Sequence, residues 1–471
     1  MNFLESFISF GNTLLWSHLL IYLLIGLGLY FTFRSGFVQF RYFGEMFRLL
    51  ADRSSSKRKG ISSLQAFFIS AASRIGTGNL AGVAIAIAVG GPGAVFWMWL
   101  IAVFGMASSF IESTLAQVYK VKDGDSFRGG PAYYMEKALN AKWMGIIFAV
   151  LITFCFGLAF NSVQANTISL AFQRAYNMNE TVIGIILVIF TGIIIFGGLK
   201  RIAKASQIIV PVMAFIYIII ALVIVFMNIT EIPSIIGIIF ANAFGLQEVV
   251  GGGIGAAIEN GIKRGLFSNE AGMGSAPNAA ATATVSHPAK QGFVQALGVF
   301  FDTIIICTTT AVMILLFTST PDPALDGIQI TQAAMAAHIG DWAQIFVAVA
   351  IFLFAFSSII GNYYYGETNI EFLSGNRLWI NLYRWAVLAM VLFGSISGFQ
   401  FVWNLADLFM GAMAITNLIA IMLLAGIAIK VLKDYTRQRK EGKDPVFQPH
   451  TIAGLKNVEA WDDHYTKETD K

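Results

Sequence analysis

Long stretches of this chain are apolar at every position, and short polar segments, mostly basic, separate them. A helix with no polar face has no side to turn toward water, so stretches of about 20 such residues read as membrane-spanning. "VIGIILVIFTGIIIF", Val182 to Phe196, is one example. It lacks the alternation over about ten residues that a membrane β-strand carries. Eleven stretches qualify, centred on 12–33, 62–89, 93–118, 143–172, 180–198, 206–227, 249–285, 291–318, 342–370, 377–396 and 401–431, of which 249–285 is the least regular. The expectation is an all-α polytopic membrane protein.

Composition agrees: with 56% hydrophobic and 12% charged residues among 471, an ordinary soluble domain is excluded. Cys155 and Cys307 both fall inside apolar spans, which argues for packing rather than a disulfide, a redox pair or metal ligands. The opening "MNFLESFISF" has no basic n-region and no small-residue cleavage site, so the first span is expected to stay. Charge then sets sidedness. Of the 31 basic residues, all but Arg74, Arg174, Lys263 and Arg264 lie in segments that share a side with the C-terminus. The excess of Lys and Arg on cytoplasmic loops places the C-terminus in the cytoplasm and the N-terminus outside.

Two spans are interrupted. Arg74-Ile75-Gly76-Thr77-Gly78-Asn79 sits midway through the second, where glycines permit non-helical backbone and Thr and Asn replace lost helical hydrogen bonds. Exposed to lipid, each unsatisfied backbone group would cost several kcal/mol, so the break is expected to line a protein cavity. Freed amides at the start of the second half-helix attract an anion, and freed carbonyls at the end of the first offer oxygens to a cation. A solute with a carboxylate that travels with Na⁺, such as an amino acid, suits both. "GLFSNEAGMGSAPNAAATA", Gly265 to Ala283, repeats the pattern five spans later, as paired five-helix repeats of inverted topology require. In the ninth span Ser357 and Ser358 stand side by side, two hard oxygen donors in an apolar run. The expected organisation is 1–60 for the first helix and a basic loop, 61–432 for a transport core of ten helices, and 433–471 for a polar, solvated tail.

"GTGNLAGVAIAIAVGGPGAVFWMW", "GMASSFIESTLAQVYK", "SGFVQFRYF", "FRGGPAYYM", "SNEAGMGSAPNAAATA" and "GNYYYGE" together resemble the alanine/glycine:cation symporter family, the sodium:alanine symporters, in order from about residue 34 to 430. The resemblance implies a leucine-transporter-type fold with one extra N-terminal helix. It also implies symport of a small neutral amino acid, alanine or glycine, with Na⁺ as coupling ion and no cofactor. Carried onto this sequence, it implies substrate contacts from Thr77, Gly78 and Asn79 in the first break, and from Gly272, Met273, Gly274 and Ser275 in the second. It implies that Gln164, in the fourth span, faces the same site and contacts the substrate's polar groups. It implies a Na⁺ site from carbonyls of Ala72 and Ile75 with Phe354, Ser357 and Ser358. Many members carry Trp where this chain has Asn362. If Asn362 lines the pocket, serine, asparagine or glutamine becomes an alternative substrate. Independently of that residue, H⁺ is the alternative coupling ion. Arg74, beside the break, needs a partner such as Glu112 or Glu270.

Rival classes find less support. A channel calls for repeated selectivity-filter residues about an axis, and none is visible. A membrane enzyme calls for a catalytic constellation, but there is no Walker loop, no His–Glu metal spacing and no Ser–His arrangement.

Overall fold

The computed structural model describes residues 3–50, 61–124, 126–197, 199–246 and 253–461. Arg53, Lys57, Arg58, Lys59, Lys467 and Lys471, which entered the charge argument, lie outside the described residues, as does the domain boundary at residue 60. Apart from one short hairpin, β1 (Val121–Asp123) with β2 (Ser126–Arg128), every regular element among the described residues is helical.

The chain opens with α1 (Phe3–Arg34), then passes two short helices, Val38–Arg41 and Phe43–Leu50. A helix pair follows, α2 (Ser63–Arg74) and α3 (Gly78–Gly90), bent by 50° at residues 75–77. Next come α4 (Ala94–Val118), the hairpin, α5 (Pro131–Leu139), α6 (Lys142–Tyr176), α7 (Glu180–Ile195) and α8 (Leu199–Met227). The second half runs through α9 (Ile232–Ala243), α10 (Gly253–Asn269), α11 (Ala276–Ala281), α12 (Pro288–Phe317), α13 (Gly327–Ile339), α14 (Trp342–Leu373), α15 (Arg377–Ile396) and α16 (Phe399–Lys440).

Among the described residues, seven helices are long and apolar enough to cross a membrane, and nine if each bent pair is one span. The 16-residue α7 and the split α10–α11 are shorter, and together these segments accommodate the eleven stretches read from the pattern. Two helices of twelve residues or more were not anticipated. One is α9, which turns 101° away from α8 after the Asn228–Glu231 turn, and the other is α13, between the eighth and ninth stretches.

The chain's far end also differs from expectation. Residue 433 falls inside α16, which continues to Lys440, and the described segment after it, largely exposed, is fastened to the bundle at a few buried anchors. Phe447 and Trp461 are buried, ring against ring at 5.1 Å. The Phe447 amide donates to the Ser286 carbonyl at 2.8 Å, and the Trp461 indole donates to the Gln117 carbonyl at 2.9 Å. Polar composition hid this, because a few apolar anchors and backbone hydrogen bonds suffice to fasten a strap.

Candidate functional site

The first break is built by local substitution of hydrogen bonds. In an unbroken helix the Gly76 amide would serve the Ala72 carbonyl. Instead it donates to Asn79 Oδ1 at 2.9 Å. The Thr77 amide donates to Gln164 Oε1 on α6 at 3.1 Å, and the Asn79 amide turns to the Gly76 carbonyl at 3.3 Å, away from that of Ile75. Ile75 itself is extended, with φ −79° and ψ 90°. The carbonyls of Ala72 and Ile75 are thereby released from helical pairing.

α14 comes against these carbonyls. Ser357 Oγ lies 3.4 Å from the Ala72 carbonyl and 2.8 Å from that of Phe354, and Ser358 Oγ lies 3.4 Å from the Ile75 carbonyl and 3.2 Å from that of Phe354. The five oxygens assigned to a cation from the sequence thus converge on one buried spot. Glycine permits the approach: a Cβ on Gly76 would collide with Ser358 Oγ, and one on Gly361 would sit 2.9 Å from the Ser73 amide.

The second break places Glu270 (φ 57°), Gly272 (φ 83°) and Gly274 (φ 88°) in the left-handed region, which ends α10 before α11 begins at Ala276 with Pro277 in its first turn. Buried Glu112 on α4 holds this turn open, accepting from the Gly272 amide at 3.0 Å, the Gly274 amide at 3.1 Å and Asn417 of α16 at 2.8 Å. Glu270 accepts from Ser275 at 2.6 Å, and the single hydroxyl proton of Ser73 is shared between Glu270 Oε1 at 2.7 Å and Asn362 Oδ1 at 2.6 Å. A chain of hydrogen bonds therefore joins both breaks to α14.

Not every residue named from the sequence is open to a ligand. The amides of Gly272 and Gly274 and the hydroxyl of Ser275 are taken up by the two glutamates, and the Asn79 side chain is saturated within the protein. Met273 is buried at the turn, and Gly78 packs against Ser268, where a Cβ would come within 2.9 Å of the Ser268 Cα. Buried polar atoms without a protein partner include Thr77 Oγ1 in the first break and Asn362 Nδ2 on α14. Such orphans are what a polar ligand would satisfy.

Arg74 differs from the sequence expectation. Its guanidinium donates to the Gln295 carbonyl at 3.2 Å and to Ser109 at 3.4 Å, and among the described residues no carboxylate lies within ion-pair distance. Glu112 and Glu270 point instead into the second break, whose exposed amides and hydroxyls compete for them.

Sequence reading also missed a cluster on α12. Buried Asp302 accepts from Asn79 Nδ2 at 2.7 Å, Ser268 at 2.7 Å and Thr303 at 2.9 Å, and Cys307 lies 3.3 Å from Asn79 Nδ2. An isolated acid in the apolar run "VFFDTIIIC" was the available signal. The segment Phe300–Cys307 is π-helical, as is Gly78–Gly82 opposite it.

A family model described as the sodium:alanine symporter family matches residues 1–449. The chain belongs to the sodium:alanine symporter family. It is 63% identical over 462 residues to the amino-acid carrier protein AlsT of Bacillus subtilis, covering 98% of each chain. It is 57% identical to the probable sodium/glutamine symporter GlnT of the same organism, covering 97% of this chain and 96% of that one. To the sodium/alanine symporter AgcS of Methanococcus maripaludis it is 40% identical, covering 92% and 98%. Among solved structures it superposes on MhsT in complex with L-phenylalanine, with a TM-score of 0.56 at 14% identity over 80% of this chain and 98% of that one. It also superposes on a manganese transporter of Eremococcus coleocola, with a TM-score of 0.54 at 12% identity over 87% and 83%. At such identities the likeness concerns the fold alone, which is of the leucine-transporter type with inverted five-helix repeats.

Proposed function

We propose that this member of the family is a secondary active transporter in which Na⁺ moving inward down its gradient drives uptake of alanine or glycine. The observation that carries the reading is the convergence of the Ala72, Ile75 and Phe354 carbonyls with the Ser357 and Ser358 hydroxyls beside a broken helix. Hard, uncharged oxygens suit a desolvated alkali cation. Two residues beyond Ile75, the Thr77 hydroxyl, which has no protein partner among the described residues, and the Gly78 backbone hold the substrate carboxylate, with the Thr77 amide fixed on Gln164. Gln164, Asn79, Gly272, Met273, Gly274 and Ser275 shape and position the pocket. The substrate leaves covalently unchanged and no cofactor is needed. The basic-loop asymmetry orients the protein in the cell membrane with its C-terminus in the cytoplasm.

A second substrate reading, glutamine or asparagine, rests on Asn362, whose buried Nδ2 has no protein acceptor and would donate to a side-chain carbonyl. A relative at 57% identity is named a probable sodium/glutamine symporter. Uptake of labelled amino acids into proteoliposomes under an imposed Na⁺ gradient, with and without a pH gradient, tests both readings. Alanine accumulation that collapses with the Na⁺ gradient is expected. Accumulation driven by pH alone, or none above leak, refutes the Na⁺ coupling.

A further inference from the structure

On the surface at the end of the bundle where α16 finishes, a cavity of about 620 Å³ opens between the end of α1, the loop after it and the last turns of α16. Its polar lining is lopsided. Arg34, Arg41, Lys433, Arg437 and Lys440 face one acid, Glu441. Arg437 is paired with Asp434 at 2.5 Å, and Glu441 is turned to Lys443 at 2.8 Å. Among the described residues Arg34, Lys433 and Lys440 have no carboxylate within ion-pair distance, while Arg41 lies over the Tyr42 ring and 3.4 Å from the Gly36 carbonyl. Within the lining the hydroxyls of Tyr42 and Thr436 are hydrogen-bonded to one another at 3.1 Å. A general excess of basic loop residues would scatter such charges. Here four unbalanced cations line one concavity.

The apolar surroundings identify the occupant. Phe33, which lines the cavity, and Phe37 and Phe40, just beyond it, are exposed, and Ile429 and Leu432 continue the lining along α16. Exposed phenyl rings beside a basic cluster at the end of a spanning helix bury at the headgroup–acyl boundary, where a phosphate meets acyl chain. A soluble anion would use the cations and leave the apolar flank idle. We propose that this cavity is a binding site for an anionic phospholipid, its phosphate among Arg34, Arg41, Lys433 and Lys440 and its acyl chains along the α1–α16 flank. Only the choice of leaflet, the cytoplasmic one, rests on the sidedness proposed above. The lipid would pin the extra N-terminal helix to α16, which reaches the second break through Asn417.

The test uses the full chain, purified in neutral detergent and titrated with phosphatidylglycerol, phosphatidylcholine or inorganic phosphate, with retained lipid read by native mass spectrometry. Wild type should retain phosphatidylglycerol in preference to phosphatidylcholine. At roughly fivefold per cation near a lipid surface, Arg34→Gln with Lys433→Gln and Lys440→Gln should weaken retention about a hundredfold. The charge-conserving set Arg34→Lys, Lys433→Arg and Lys440→Arg should keep it, which separates loss of the site from loss of the fold. Lys142→Gln with Lys204→Gln, which removes exposed charge elsewhere, should also keep it. Equal retention of both lipids overturns the proposal, as does unchanged retention in the triple glutamine variant. Displacement of phosphatidylglycerol by equimolar inorganic phosphate overturns the lipid as occupant.

Discussion

Removing the two hydroxyls of α14 tests the cation site most directly. Ser357→Ala with Ser358→Ala deletes two of five converging oxygens, leaves α14 intact and removes little volume from positions that are fully buried. Without an ion the hydroxyls donate to carbonyls of their own helix turn and of the first break at 2.8–3.4 Å. The Phe354 carbonyl keeps its place in the α14 ladder, so the effect on folding should stay small. A polar contact to a charged group is worth about 1.5 kcal/mol net, so each lost oxygen should raise half-saturating Na⁺ roughly tenfold. The double variant should need about a hundredfold more, because neutral methyls replace neither donor. The assay is the initial rate of labelled alanine uptake into proteoliposomes across a Na⁺ series at fixed membrane potential, with a thermal melt in detergent as the folding control. A normal melt with unchanged half-saturating Na⁺ would falsify the site.

Other consequences follow from close packing and buried charge. Gly78→Val should leave the protein inserted but lower substrate affinity at least about tenfold, because its Cβ meets the Ser268 backbone and overpacking there costs about 1–3 kcal/mol; wild-type binding in the folded variant refutes it. Arg264 and Asp407 form a buried pair at 3.0 and 2.5 Å. Asp407→Asn should therefore lower stability by about 3–5 kcal/mol, and the apolar double variant Arg264→Met with Asp407→Leu should recover most of it. Chemical unfolding of both variants decides, and a double variant no more stable than the single one contradicts the account. Asn362→Leu, of similar size, should spare alanine uptake while weakening glutamine competition at least about tenfold, since a site built to bond a side-chain carbonyl loses its donor. Identical inhibition profiles would remove Asn362 from substrate selection.

The spans were legible because a lipid-facing helix must be apolar throughout, and both breaks were legible because Gly-Thr-Gly-Asn and Gly-Met-Gly-Ser are poor helix interiors. The roles inside the breaks were less so. Gly78 was expected to supply backbone freedom, yet its φ is not positive, and the glycine is needed for the Ser268 contact. The freedom is used at Gly272 and Gly274. Arg74 invited an ion pair by charge alone, but hydrogen-bond competition inside the second break decides where Glu112 and Glu270 point. Long-range partners such as Asn79 with Asp302, 223 positions apart, leave no trace in local pattern.

These long-range bonds bear on coupling. In the proposed reading the ion takes the Ile75 carbonyl while the substrate takes Thr77, two residues on in the same unpaired stretch. Coupling needs one structural element that both ligands bias. The first break is such an element, because the Ala72 and Ile75 carbonyls a cation needs are free only while their helical partners, the amides of Gly76 and Asn79, are turned to Asn79 Oδ1 and the Gly76 carbonyl. If the break rewound, the Gly76 amide would recapture the Ala72 carbonyl, and both sites would be lost together. On the proposed reading, Na⁺ would stabilise the unwound state, and substrate would then bind a stretch whose ordering has already been met by the ion. Asn79 has a double hold, with Oδ1 on the break and Nδ2 on Asp302 and Ser268, so α12 and the second broken helix are tied into the same element. A change at Asp302 should therefore alter the Na⁺ dependence of substrate binding without touching either ligand, which distinguishes a shared element from two independent sites.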